Sequence, residues 1–208
     1  MKRCVIIGGA PINDYGRIKA LLNSGDYYIV CDSGLKHISA LGILPDLIIG
    51  DFDSAEKPQT DIETIALPRE KDDTDSFFAA KEAVKRGFCD FLLIGVIGKR
   101  IDHSIGNISV LLYLESLQKS ARIADDYSVM EIISRKGEVA PSECEYFSLL
   151  AIDGDANGVN IKNAKFPLSN AKITAGYQYG ISNEAENGKT AEISIENGRL
   201  LLVKVAKE

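Results

Sequence analysis

The chain has 208 residues, of which 45% are hydrophobic and 26% charged, and its formal net charge is -6. This length fits one large domain or two small ones, and this composition is typical of a folded, soluble protein. The negative net charge argues against a nucleic-acid partner held through its phosphates, so a negatively charged substrate would need local positive charge or a metal ion.

The cysteines and the N-terminal residues exclude some further classes of protein. Cys4, Cys31, Cys89 and Cys144 are far apart and form no C-x-x-C pair, so we expect neither a zinc site nor a disulfide framework. The first residues, MKRCVIIGG, are typical of a strand rather than of a signal peptide. No segment approaches the roughly 20 apolar residues of a membrane span. We therefore expect a cytoplasmic protein that does not contact a membrane.

The first half of the chain alternates short apolar runs with longer amphipathic ones. A parallel sheet covered by helices requires strands that are apolar on both faces. Segments of this kind are RCVIIGG, YYIVCD, DLIIGDF, ETIAL and DFLLIGV. Between them, the spacing of apolar residues predicts helices at about 12–24, 34–42, 74–87 and 103–119. This alternation predicts an α/β fold with a doubly wound, mainly parallel sheet in residues 1–121.

The second half of the chain has a different pattern. Its apolar runs are short, and Gly, Asn, Pro and Asp separate them without a convincing helical repeat. The last segment, TAEISIENGRLLLVKV, predicts a hairpin around Asn197-Gly198, because Asn-Gly is the strongest short hairpin signal. Residues 122–208 are therefore predicted to form a small all-β sandwich domain.

Acidic residues follow four of the predicted strands, at the point where each strand ends. Ligands of an open α/β sheet bind at the carboxyl ends of its strands, so we expect these side chains to share one edge. The segments concerned are Asp32-Ser33-Gly34, Asp51-Phe52-Asp53-Ser54, Arg69 to Asp75, and Lys99 to His103.

Some of these carboxylates have a simpler structural interpretation. Asp32, taken alone, is explained by capping of the following helix, which is worth about 1 kcal/mol. Asp72, Asp73 and Asp75 precede or begin a predicted helix, where the helix dipole favours negative charge. The helix dipole can explain Asp102 in the same way, since it lies at the start of the next predicted helix.

Asp51 and Asp53 are harder to explain by structure alone. They lie one residue apart with no strong helix directly after them, so each raises the cost of ionising the other unless a cation is present. Mg²⁺ takes one or two carboxylates together with substrate phosphates, so this pair predicts a nucleotide polyphosphate as ligand. Lys71 and Arg100 could bind phosphate oxygens, or each could form a surface ion pair instead. His103, at the end of a predicted strand, is equally consistent with a contact to a ligand and with a surface position.

No P-loop or dinucleotide-binding loop is present in the chain. The patterns G-x-x-x-x-G-K-[ST] and G-x-G-x-x-G are both absent, and Gly8-Gly9 is a weak signal, since any strand-to-helix turn can use glycine. Phosphate binding would therefore depend on a metal ion, lysine and arginine.

Four segments together resemble the thiamine pyrophosphokinase (thiamin diphosphokinase) family. They are CDSGLKHISALGILPDLIIGDFDS, EKDDTDSFFAA, GKRIDHSIGN and YGISNE, and they follow the family order over most of the chain. One departure is visible at Lys99, where a second glycine is expected. The resemblance implies a transferase that moves a pyrophosphoryl group from ATP to the hydroxyl of thiamine, giving thiamine pyrophosphate and AMP, with Mg²⁺.

The resemblance also implies roles for individual residues. Asp51, Asp53 and Asp75 would be catalytic carboxylates that hold the metal and the phosphates, and Asp102 would be a catalytic carboxylate near the reacting centre. The expected nucleotide-binding residues are Asp32, Ser33, Lys71, Thr74, Arg100 and His103. Ser182, Asn183 and Glu184 would face thiamine, although the sequence alone favours a plain turn there. The family is homodimeric, with the active site formed between the N-terminal domain of one chain and the β domain of the other.

Two other functions remain open at this stage. An ATP-dependent kinase or pyrophosphokinase could act on another small heterocyclic alcohol, and its products would distinguish it. A nucleotide- or thiamine-binding sensor without turnover is the second alternative, although a binder gains nothing from so many close carboxylates.

Overall fold

The computed structural model describes residues 2–52, 60–68, 70 and 72–206. The chain divides into two compact units, Met1–Asp126 and Tyr127–Glu208, whereas the sequence predicts a boundary after residue 121. Among the described residues, no helix is long and apolar enough to cross a membrane.

The described residues of the first unit form six parallel strands. They pair in the order β4-β3-β2-β1-β5-β6. Their bounds are β1 (Cys4–Ile7), β2 (Tyr27–Cys31), β3 (Leu47–Gly50), β4 (Glu63–Ala66), β5 (Asp90–Ile94) and β6 (Ser120–Ala124). All four residues of β1 are fully buried, as a central strand covered on both faces requires. β4 lies at the edge and is partly exposed. The strand β6 extends this unit beyond the predicted boundary, because it pairs with β5.

The helices of the first unit differ from their predicted bounds mainly in length. They are α1 (Tyr15–Ala20), α2 (Ile38–Leu41), α3 (Asp75–Lys85) and α4 (Ile101–Ser116). Asp14 caps α1, since its side chain accepts from the backbone N–H of Arg17 at 2.9 Å. A 3-10 helix, Asp32–His37, followed by the short α2, replaces the helix predicted over 34–42. Gly42, with a φ of 70°, is the C-cap of α2.

The strand order reverses between β1 and β5. β2, β3 and β4 follow β1 on one side of the sheet, and β5 and β6 continue on the other. Helix α3 makes the crossover and packs on β1, β2 and β3, and it also contacts α4. In a doubly wound sheet, the connections leave in opposite directions at such a reversal, which opens a crevice at the carboxyl ends of the two strands.

The second unit consists of two antiparallel sheets. One has the order β7-β13-β9 and the other β11-β10-β12-β8. The strands are β7 (Ser128–Ile133), β8 (Lys136–Val139), β9 (Tyr146–Leu150), β10 (Ala156–Lys162), β11 (Leu168–Ile173), β12 (Ala191–Ser194) and β13 (Leu200–Val205). One buried cluster contains side chains of both sheets, among them Phe147, Ile161 and Leu202. The predicted fold class, an α/β domain followed by a β-rich domain, is confirmed.

The predicted hairpin around Asn197-Gly198 is wrong. β12 pairs with β10 and β8, whereas β13 pairs with β7 and β9, so the strands on either side of the turn belong to different sheets. Backbone groups of the turn are used by β10, since Asn157 donates to the Asn197 carbonyl at 2.8 Å. Gly198, with a φ of 88°, then turns the chain towards the other sheet.

Candidate active site

A cleft of about 610 Å³ lies in the first unit, at the carboxyl ends of the parallel strands. Its lining includes residues that follow β1, β2, β3 and β5, together with the first residues of α3 and one face of α4. Gly8 and Gly95, which follow β1 and β5, both contribute. The cleft therefore occupies the strand-order reversal, the position at which ligands bind in this class of sheet.

Glycines allow the backbone segments around the cleft to approach one another. A β-carbon at Gly8 would lie 2.6 Å from the carbonyl oxygen of Gly95, and one at Gly95 would lie equally close to that of Gly8. A β-carbon at Gly9 would lie 1.9 Å from the Ser33 hydroxyl oxygen. Since β-carbons do not tolerate such contacts, any larger residue at these positions would force the strand ends apart.

Lys36 and His37 hold the backbone that follows β1. The ammonium group of Lys36 donates to the carbonyl of Gly9, and Nε2 of His37 lies 2.9 Å from the carbonyl of Ala10. Lys36 also lines the cleft and adds a cationic side chain to it. It is not among the predicted site residues.

The protonation of His37 follows from its two partners. A carbonyl oxygen can only accept a hydrogen bond, so Nε2 of His37 carries the ring proton and donates to the carbonyl of Ala10. Nδ1 then accepts from the hydroxyl of Tyr15 at 2.7 Å. His37 is buried, and burial lowers its pKa from the ordinary value, which is consistent with a neutral ring. His37 is therefore a structural residue of this loop.

The described carboxylates of the predicted metal site are Asp51 and Asp75, and both line the cleft. Asp51 follows β3 directly and is half-buried, while Asp75 is the first residue of α3. Phe52, the residue after Asp51, has a φ of 51°, an uncommon conformation for a bulky residue and one that often marks a functional site. Asp53, the third predicted ligand, lies outside the described residues.

These carboxylates fit a magnesium site that is completed by a substrate. Among the described residues, no group of three or more His, Cys, Asp and Glu side chains could hold a metal ion by itself. Mg²⁺, however, commonly takes one or two carboxylates and completes its coordination with water and substrate phosphates.

Arg100 and Asp102 form an ion pair at the mouth of the cleft. Nε of Arg100 lies 2.9 Å from Oδ1 of Asp102, and Nη2 lies 2.5 Å from Oδ2. Both side chains are exposed. This bidentate contact holds the pKa of Asp102 well below its usual range and raises that of Arg100. Arg100 lines the cleft, whereas Asp102 is not part of the lining.

A hydrogen-bonded chain that is buried at Ser76 and Asn107 crosses the wall of the cleft. Thr74 caps α3 by accepting from the backbone N–H of Phe77, and its hydroxyl lies 3.2 Å from that of Ser76. The Ser76 hydroxyl lies 2.5 Å from Oδ1 of Asn107, whose Nδ2 donates to the carbonyl of Val96 at 2.7 Å. Ser76 and Asn107 are not among the predicted site residues, although both lie in segments that carry the family resemblance, EKDDTDSFFAA and GKRIDHSIGN.

The predicted nucleotide-binding residues are placed in three different ways. Ser33, Thr74, Arg100 and His103 line the cleft. Asp32 is buried instead, with its β-carbon against Gly50. Lys71 lies outside the described residues. Lys99, where a second glycine is expected, adds a cation to the lining.

The predicted thiamine-binding segment lies in the second unit, next to β9. Asn183 is buried, and its side-chain amide accepts from the N–H of Phe166 at 3.0 Å and donates to the carbonyl of the same residue at 2.8 Å. Ser182 is exposed with a φ of 57°, and Glu184 pairs with Lys165 at 2.7 Å. Asn183 thus uses its side chain to hold its own domain together, while its two neighbours remain accessible.

Comparison with known protein families identifies both parts of the chain. The family model described as "Thiamin pyrophosphokinase, catalytic domain" matches residues 18–124. A second model, "Thiamin pyrophosphokinase, vitamin B1 binding domain", matches residues 131–200. A curated relative, thiamine pyrophosphokinase of Bacillus subtilis (strain 168), is 28% identical over 213 residues, which cover 98% of this chain and 99% of that protein.

Solved structures show the same fold. A crystal structure of thiamine pyrophosphokinase from Bacillus subtilis superposes with a TM-score of 0.89 at 24% identity, over the whole of both chains. The enzyme from Geobacillus thermodenitrificans gives a TM-score of 0.85 at 24% identity, covering 99% of this chain and 98% of that one. Thiamin pyrophosphokinase from Candida albicans gives 0.78 at 12% identity, covering 99% and 89%.

Proposed function

Since the chain belongs to the thiamin pyrophosphokinase family, we propose that it transfers a pyrophosphoryl group from ATP to the hydroxyl of thiamine. The products are thiamine pyrophosphate and AMP. The observation that carries this proposal is the match of a catalytic and a vitamin-binding family model, in that order, to the two halves of the chain. The cleft agrees with it, because it combines carboxylates and cations at the sheet position where nucleotides bind.

Asp51 and Asp75 are the described residues that would hold Mg²⁺, together with Asp53. When bound, the ion neutralises phosphate charge and fixes the polyphosphate for attack. Carboxylates and phosphates both favour negative charge, so a cation between these two side chains and the nucleotide would offset their repulsion.

The cations of the cleft are proposed to bind the polyphosphate. Lys36, Lys99 and Arg100 all contribute to its lining, and charge-assisted hydrogen bonds from such groups to phosphate are stronger than neutral ones. Gly8 and Gly9 line the cleft and carry no side chain, which would let the phosphates approach their backbone closely. Phosphoryl chemistry depends mainly on this positioning and charge neutralisation, which matches the carboxylates and cations of the cleft.

Asp102 is proposed to orient Arg100 in the state described here. Its carboxylate accepts two hydrogen bonds from the guanidinium, and its lowered pKa makes it a weak proton acceptor. If Asp102 instead takes the proton of the thiamine hydroxyl, this ion pair has to open first.

Ser182 and Glu184 are proposed to bind thiamine, with Asn183 fixing the segment that carries them. We extend the proposal to a homodimer in which the second unit of one chain completes the cleft of its partner. The second unit exposes several large apolar side chains, and such groups often mark an interface. They are Tyr127, Tyr146, Phe166, Tyr177, Tyr179 and Ile181. The cytoplasmic location stays a prediction.

The dimer proposal has a direct test in subunit mixing. D51N removes a carboxylate of the first unit, and S182A/E184A alters the second unit, so each variant alone is expected to be inactive. If one site uses both chains, mixed dimers contain one intact site, and mixing the two variants restores part of the activity. A mixture that stays inactive although the subunits exchange, or a wild-type chain that sediments as a monomer, contradicts the proposal.

The activity itself is tested by one incubation of the pure protein with ATP, Mg²⁺ and thiamine, followed by separation of the nucleotides and thiamine esters. Equal amounts of AMP and thiamine pyrophosphate are the expected result. ADP with thiamine monophosphate would instead identify a kinase. Saturable thiamine binding without turnover would identify a sensor.

A further inference from the structure

The hydrogen bonds between Thr74, Ser76, Asn107 and Val96 have only one possible direction. The carbonyl of Val96 accepts, so Asn107 must present its NH₂ group there, which turns its Oδ1 towards Ser76. Oδ1 also only accepts, so the Ser76 hydroxyl donates to it at 2.5 Å. Because the Ser76 hydroxyl has only one proton and donates it to Asn107, it can only accept from Thr74, so the Thr74 hydroxyl is the donor.

This hydrogen-bonded chain joins three separate parts of the cleft wall. Thr74 and Ser76 belong to the start of α3, Asn107 to α4, and Val96 to the segment after β5. The first part carries Asp75, and α4 carries His103 in its first turn. All of these side chains line the cleft.

Both central members are almost completely buried, Ser76 at 8% and Asn107 at 7% exposure. A buried polar group that loses its partner keeps its full desolvation cost, because water cannot replace the partner. Removing Ser76 or Asn107 therefore leaves the other without its buried partner, and the two act as a unit.

We infer that Asn107 and Ser76 are positioning residues of the ATP site, which hold the Asp75 end of α3 in a fixed place relative to α4. This inference rests on the proposed function. It also changes the role of Thr74: since its hydroxyl proton is committed to Ser76, Thr74 offers no donor to a phosphate and acts through the same hydrogen-bonded chain.

The test compares S76A, N107A and the S76A/N107A double variant with the control N160A. Asn160 has a similar amide arrangement far along the chain, donating to the Gly158 carbonyl at 3.0 Å and accepting from the Asn170 N–H at 2.9 Å. Pyrophosphoryl transfer is measured with both substrates saturating, well below the unfolding midpoint of each variant. S76A alone removes only one hydroxyl, and it provides the test if N107A does not fold.

The expected result is a loss in kcat of about tenfold to a hundredfold for each single cleft variant, since small displacements of catalytic groups have effects of this size. The double variant should be no slower than N107A, because the two residues act together. N160A should lose stability but keep its kcat.

Two results would overturn the inference while leaving the proposed function intact. One is a kcat in S76A and N107A equal to that of N160A, which would make the hydrogen-bonded chain purely structural. The other is a double variant whose loss is the product of the two single losses. A wild-type chain without turnover would instead refute the proposed function, and this inference with it.

Discussion

The β-carbon of Asp32 occupies the space that a side chain at Gly50 would need. A β-carbon at Gly50 would lie 2.5 Å from it, so glycine is required where β3 ends beside the buried Asp32. The chain then places Asp51 in the cleft directly after this close contact. The glycine before Asp51 is thus needed for packing, and the carboxylate after it lines the cleft.

Replacing Asp51 by Asn should abolish most of the turnover without unfolding the protein. The amide keeps the size of the side chain but removes the charge that would hold Mg²⁺, so we expect kcat to fall by roughly a hundredfold or more. The measurement is AMP formation together with a thermal melt. D61N, at an exposed carboxylate, is the matched control and should behave as wild type. Turnover near the wild-type rate in D51N contradicts the assignment.

Replacing Lys36 by Met should weaken ATP binding. Its ammonium group is part of the cleft lining, and losing one charge-assisted hydrogen bond to a phosphate raises the KM for ATP by about tenfold or more. K36R keeps the charge, so its KM for ATP should be closer to the wild-type value. K19M, on the exposed side of α1, should leave the KM for ATP unchanged. An unchanged KM for ATP in K36M, or an equal rise in the KM for thiamine, would contradict a phosphate contact.

His37 should make the protein less stable in mild acid. Burial lowers its pKa in the folded protein, so below the unfolded value of about 6.5 the unfolded chain binds the proton and the folded chain does not. The free energy of unfolding therefore falls as the pH drops below that value, by up to about 1 kcal/mol at pH 5.5. Urea unfolding at pH 7.5 and 5.5 measures this change. In H37Q, the difference in the free energy of unfolding between the two pH values should be smaller by the same amount. An identical difference in both proteins would show that His37 does not cause it.

Replacing Asn183 by Ala should reduce stability. The substitution leaves the N–H and carbonyl of Phe166 without their side-chain partners, so we expect a loss of about 2 kcal/mol in the free energy of unfolding. S182A removes an exposed hydroxyl and should leave the stability unchanged. Denaturant unfolding compares the two. If N183A unfolds at the wild-type denaturant concentration, the amide does not support the segment, and a direct role towards thiamine becomes the better explanation.

Some parts of the site could be predicted because they depend only on neighbours in sequence. Apolar runs followed by Asp51, or by Lys99 to His103, predict strand ends that carry polar groups, and parallel pairing brings such ends to one edge. Asp75 at the start of α3 follows from the same argument. The Asn197-Gly198 turn shows the limit of local signals, since the turn exists but the strands beside it pair elsewhere.

Hydrophobic period and the order of the strands along the chain are enough to predict the fold class and the edge of the sheet at which the cleft lies, and four motifs carry the family resemblance. Which polar side chains act together depends on the packed fold. Ser76 and Asn107 are 31 residues apart, and Asn183 and Phe166 are 17 apart. Their contacts depend on how helices and strands pack and on the directions of single donors and acceptors, which no spacing in the sequence records.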